Sequence, residues 1–105
     1  MTAAVTVRDN TESRSYDALV DGRVVGSIVY EHEGQRIVFT HTIVEPEFRS
    51  QGIATTLTRE ALDDVRSKGV KLTNYCSFVS EFIGENPEYA DLLDEAHPGH
   101  IRRPS

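Results

Sequence analysis

Six residues in the middle of the chain, Arg49-Ser50-Gln51-Gly52-Ile53-Ala54, stand where a strand-like pattern gives way to a helical one. The chemistry open to such a junction is anion binding. A helix start leaves its first N–H groups without intrahelical partners. Gly52 lets a bulky anion approach the backbone, Ser50, Gln51, Thr55 and Thr56 add side-chain donors, and Arg49 adds a fixed cation. Together they form a cradle suited to a pyrophosphate. The longer glycine fingerprint of a dinucleotide fold and the Gly-Lys-Ser/Thr of a Walker loop are both missing. The same residues also read as an ordinary helix start with glycine at its cap, and local physics leaves the two readings even.

Two more residues have reactive side chains in suggestive places. Cys76 lies between a strand end and a helix start, a setting that favours the thiolate form. Its other reading is a small buried hydrophobe. As the single cysteine, it excludes an internal disulfide and a multi-cysteine metal site. His41 is the one histidine inside an expected core strand, either a base for an amine or thiol, or a half-buried residue with satisfied ring nitrogens. His97 and His100 lack carboxylate or cysteine company, so no metal is expected.

The elements that must position these groups follow from periodicity. Val5–Arg8 alternates as a first strand, Ser15–Val20 as a second with Tyr16, Ala18 and Val20 on one face, and Arg23–Tyr30 as the return. Asp21-Gly22 between the last two is a hairpin signal, because a type I′ turn needs positive φ at both central positions. Glu31–Gly34 reads as the next turn. Arg36–Val44 follows as a long strand, with Ile37, Phe39, His41 and Ile43 on one face and Val38, Thr40, Thr42 and Val44 on the other. Pro46 ends its pairing. From Gly52 to Lys68 the apolar residues Ile53, Leu57, Ala61, Leu62 and Val65 recur at helical spacing, and Lys68-Gly69 supplies a stop. Val70–Tyr75 reads as a strand parallel to 36–44. Ser77 reads as the cap of a second helix to about Asn86, and Pro87 as the start of a last short one.

Bulk properties narrow the function. The chain has 105 residues, enough for one domain. Residues 1–94 form the expected domain and 95–105 an expected flexible tail. Seventeen acidic against eleven basic residues give a charge of −6, which argues against a nucleic-acid binder. No apolar run is long enough for a membrane span, and Met1–Val5 does not resemble a secretory signal, so a cytoplasmic protein is expected, as monomer or weak dimer.

The signature at 49–54 resembles the acetyl-CoA-binding motif of the GNAT superfamily of N-acetyltransferases. The α+β order, an antiparallel β-meander followed by a strand–helix–strand–helix unit, is similar to the GNAT core. His41-Thr42-Ile43-Val44, Asn74-Tyr75-Cys76-Ser77-Phe78 and Asn86-Pro87-Glu88-Tyr89 resemble, in order and spacing, a compact subfamily of about 90–110 residues. The resemblance covers residues 5–93. It implies acetyl-CoA as co-substrate, its pyrophosphate on the amides of Gln51, Gly52, Ile53, Ala54 and Thr55 with Arg49 and Ser50 assisting. It implies two splayed parallel strands around the pantetheine arm, with backbone bonds from Ile43 and Val44. Cys76 would stand beside the thioester, accepting the acetyl group or lining the pocket, and Tyr89 would protonate the departing thiolate or simply pack; His41, close to that point in sequence, or water would take the amine proton. Phe78 and Phe82 would lie near the pantetheine or adenine, or pack in the core. The implied function is acetyl transfer to an amine. The alternatives are an acyl-CoA-binding module with little turnover and a plain interaction domain.

Overall fold

A computed structural model describes residues 4–49 and 52–99. Ser50 and Gln51, the middle of the expected anion loop, lie outside the described residues, as do His100 and the last five positions. Five strands form one sheet in the order of the chain: β1 (Thr6–Asn10), β2 (Ser15–Val20), β3 (Arg23–Glu33), β4 (Arg36–Val44) and β5 (Lys71–Asn74). The first four pair antiparallel and β4–β5 parallel. Between β4 and β5 the chain makes a 3-10 turn (Pro46–Phe48) and helix α1 (Ile53–Ser67). Helix α2 (Ser77–Glu85) follows β5, and a second 3-10 turn spans Pro87–Leu92.

The local signals explain most of this. Asp21 and Gly22 both have positive φ, at 51° and 79°, as a type I′ hairpin requires. The next turn comes later than its residue types suggest, because β3 continues through Glu33 and pairs it with Arg36. On α1 the expected stripe is buried throughout: Ile53, Leu57, Ala61, Leu62 and Val65 join one core with Tyr16, Ile28, Phe39 and Leu72 from the sheet and Val79, Phe82 and Ile83 from α2. Burying a leucine or isoleucine side chain is worth roughly 1.5–3 kcal/mol, so this stripe holds α1 against the sheet.

A polar clamp fixes the far end of α1. Tyr16 donates to Asp64 at 2.6 Å and Tyr30 to Asp9 at 2.5 Å. Lys68 bridges the two carboxylates, at 2.8 Å from Asp64 and 2.5 Å from Asp9. Burial, reinforced by these acceptors, pushes both phenol groups well above their usual range. For Asp64 burial alone would raise the carboxyl, but the bonds from Lys68 and Tyr16 outweigh it and hold the group below the ordinary aspartate value.

Residues 94–99, which include the start of the expected tail, bond to β5. Asp94 N–H donates to Leu72 O, Asn74 N–H donates to Pro98 O, and Thr73 Oγ1 donates to His97 O. Gly99 bridges Asn74 with φ +83°, and a Cβ on it would stand 2.3 Å from Asn74 O. Only glycine fits a contact that close.

The lowered Asp64 value has a pH consequence. A carboxyl with a depressed folded pKa stabilises the fold above its unfolded pKa, and that contribution disappears as pH falls through the folded value. In urea titrations the wild-type midpoint should drop steeply below about pH 4. Asp64→Asn should start lower at pH 7 and lose less on acidification; parallel curves would remove Asp64 from the acid response.

Candidate functional site

The site is shaped by one extra residue in β4. Val29 faces His41 across the β3–β4 ladder, yet the next residue, Tyr30, faces Phe39, so Thr40 is a bulge. Residues opposite one another in a ladder share a face. Phe39 therefore points inward with Tyr30, and Thr42 points inward with Ile28, although the two lie three residues apart. The expected face of Ile37, Phe39, His41 and Ile43 is split: Ile37 and Phe39 are buried, whereas His41 and Ile43 turn to the outer side of the sheet and are exposed. Thr40 Oγ1 donates to Val29 O and lies 3.3 Å from His41 Nδ1.

β5 leaves β4 at the same level. The last parallel pair is Phe39–Asn74, and Tyr75 N–H donates to Phe39 O at 2.9 Å. Beyond it β4 runs on to Val44 while the other chain turns into α2. Glu45 N–H donates to Val25 O, so by strand alternation His41 and Ile43 direct their backbone groups to β3, and Thr42 and Val44 direct theirs into the opening. Arg49 Nε accordingly reaches Val44 O at 3.4 Å. Of the expected backbone pair, Val44 faces the cleft; Ile43 does not, and Thr42 takes its place.

Thr42 and Cys76 meet across this opening, Oγ1 to Sγ, at 2.9 Å. Cys76 is the N-cap of α2 and is 5 % exposed. Ser77, expected in that role, is the first helical residue. No side chain caps the helix in the usual way; Asn74, 1 % exposed, does comparable work from β5. Its Oδ1 accepts from Cys76 N–H, and its Nδ2 donates to Cys76 O and Ser80 Oγ. Neither Thr42 nor Asn74 emerged as a site residue from the sequence. An asparagine two residues before a helix start is a local signal for Asn74; the bulge that turns Thr42 inward has no such signal.

The loop end of the site is a cleft of about 340 Å³. Val44 and Phe48 line one side, Phe78 from α2 the other, with Arg49, Gly52 and the first turn of α1 (Ile53, Ala54, Thr55) between them. Gly52 is the N-cap of α1 with φ +74°, and a Cβ there would have nothing within 4 Å. Left-handed backbone favours glycine, and Gly52 lines the cleft. A second groove shares Thr55 and Phe78 and continues between α1 and α2 past Arg59, whose guanidinium stands 5.6 Å above the Phe82 ring.

Tyr89 lines neither, although its ring lies 5.8 Å from that of Phe82. It is buried and its hydroxyl donates to Asp63 at 2.8 Å. Burial, with the Asp63 bond adding to it, raises its hydroxyl above the usual range. The proton expected to be available to a leaving thiolate is held by a carboxylate on α1. Among the described residues no group of three or more His, Cys, Asp or Glu could hold a metal ion, and no helix is long and apolar enough to cross a membrane.

A family model described as GCN5-related N-acetyl-transferase matches residues 15–92. The chain belongs to the GCN5-related N-acetyltransferase family. It is 32 % identical to mouse protein NATD1 over 95 residues, 85 % of this chain and 84 % of the relative. Against human NATD1 identity is 38 % over 69 residues, 63 % of this chain and 61 % of the relative. The solution structure of a GCN5-like protein from Staphylococcus aureus superposes with TM-score 0.63 at 20 % identity, covering 90 % of this chain and 96 % of that one. A ribosomal-protein-alanine N-acetyltransferase from Brucella melitensis superposes at 0.54 with 21 % identity, over 85 % and 69 % of the two chains. At such identities these two likenesses show the GCN5-related fold: a five-stranded mixed sheet with the parallel β4–β5 pair at its opening. The chemistry of the family is acetyl transfer.

The Asn74 clamp makes a stability prediction. Asn74→Leu keeps the volume but removes the acceptor of the buried Cys76 N–H, while Cys76 O keeps its bond from Ser80 N–H, a loss of about 1–3 kcal/mol. Urea unfolding measures it; a loss below about 0.5 kcal/mol, the range of an indifferent surface change, would show that water or neighbouring groups replace the amide.

Proposed function

We propose that the chain transfers the acetyl group of acetyl-CoA to the nitrogen of an amine. The observation that carries this reading is the placement of the cleft around Gly52, with its open left-handed cap, and Val44 on the stretch of β4 beyond its last pair with β5 that also carries the Thr42–Cys76 contact. The residues present fit a CoA pyrophosphate: the first-turn amides of α1 around Ile53, Ala54 and Thr55 lack intrahelical partners, Gly52 offers room a side chain would fill, and Arg49 supplies charge. Ser50 and Gln51 complete this set as expectations from the sequence. Thr42 and Val44 would bind the pantetheine arm through backbone groups, and Arg59 and Phe82 extend the site toward the nucleotide.

What the bound thioester supplies is an activated acetyl group. The chain's part is to hold it and to move one proton. His41 lies on the outer face of β4, where an amine can approach, and serves as the proton acceptor. Cys76 lies on the inner face beside Thr42 and lines the acetyl end. This placement on opposite faces of one opening favours direct transfer over an acetyl-cysteine route, because the base and the thiol do not share a side of the sheet. The negative charge of the chain suits a cationic acceptor such as a polyamine or a lysine side chain.

The engaged Tyr89 hydroxyl favours a second reading, a module that binds acyl-CoA with little turnover. An amine panel assayed for CoA release separates the two.

Gly52→Val should abolish CoA binding in a calorimetric titration while the protein stays folded, since the branched side chain fills the cradle and resists positive φ. Retained affinity would move the pyrophosphate elsewhere. Cys76→Ala should keep turnover within about tenfold, roughly 1.4 kcal/mol of barrier. An inactive Cys76→Ala that still binds CoA, together with a hydroxylamine-labile acetyl adduct on the wild type, would establish the covalent route instead.

A further inference from the structure

The Thr42–Cys76 contact also bears on the size of the group transferred. The two side chains close the opening between β4 and β5 from the inner side, 2.9 Å apart. Behind them the interior is filled. Cys76 belongs to the core that contains Ile28, Phe39, Leu57 and Val79, each with no exposed surface, and Ile28 is the cross-strand neighbour of Thr42. Interiors packed to this degree do not yield space for an added methylene without strain. On the outer side lie His41 and Ile43, both exposed, where the acceptor amine must arrive.

We propose that Thr42 is a specificity-determining residue: with Cys76 it floors the acyl site and restricts transfer to two-carbon acyl groups. The inference rests on the reading above, in which the thioester lies between β4 and β5. A third carbon has two directions available. Inward, it meets Thr42 and Cys76. Outward, it stands in the path of the amine next to His41. A longer acyl chain is therefore either refused or held in a form that blocks its own transfer. Removing either half of the floor frees space for about one methylene on the inner side.

The test is calorimetric affinity for unacylated CoA, acetyl-CoA and propionyl-CoA, measured on wild type, Thr42→Ala, Cys76→Ala and Thr42→Val. Thr42→Ala and Cys76→Ala open the floor from opposite sides, so one remains informative if the other misfolds. Each should shift the propionyl-to-acetyl preference about fourfold toward propionyl relative to wild type, the gain expected of one newly buried methylene. Thr42→Val, which keeps the volume and loses only the hydroxyl, should keep the wild-type preference, each preference being taken relative to that protein's own affinity for unacylated CoA. An unchanged preference in the alanine variants, or an equal shift in Thr42→Val, overturns the proposal while CoA binding itself stands. Failure of wild type to bind unacylated CoA overturns the proposed function and this inference together.

Discussion

The bulge at Thr40 is the constraint on which the site depends. A strand alternates its side chains with a period of two, and one inserted residue reverses that alternation for everything after it. Up to Phe39, β4 is a core strand, with Ile37 and Phe39 under α1. From His41 onward the same strand turns its small polar residue, Thr42, inward and its imidazole outward. The reversal coincides with the departure of β5 after Asn74. One residue thus leaves, among the described residues, a strand edge beyond β5 with two chemically different sides.

That edge is useful only if α1 starts in the right place, and α1 is held at both ends by different means. At its start the cap is Gly52, and the helix is anchored by Ile53 beneath it. At its end the Tyr16–Asp64–Lys68–Asp9 clamp ties the last turn to β1 and β2. The apolar stripe between them sets the height of the helix above the sheet.

The parts of this arrangement written in local signals were legible from the sequence. The Asp21-Gly22 hairpin, the stripe of α1 and the glycine at its cap each depend on a few neighbouring residues. The bulge at Thr40 does not: a threonine followed by histidine and threonine suits either face, and the choice is made by pairing with β3, twelve residues away. Strict alternation therefore places His41 on the buried face and gives no sign of the inward Thr42. Tyr89 was read by position along the chain, whereas its hydroxyl is claimed by Asp63 from a helix that precedes it by more than twenty residues. The His-Pro-Gly composition of residues 97–99 suggested a loose end, yet those residues bond through their backbone carbonyls and a close glycine contact, neither of which requires apolar side chains.

Those last residues also decide how the sheet meets other molecules. A five-stranded sheet that ended at β5 would present a row of unpaired amides and carbonyls, a template on which another extended chain could pair. Leu93–Gly99 occupies that position, bridging Leu72 and Asn74 in parallel register. Growth of the sheet from copy to copy is left to β1 at the opposite border, five residues long and bearing Arg8 and Asp9. The segment that follows the second 3-10 turn thus covers the border of β5, and trimming it would expose backbone on which extended chains could stack into fibres.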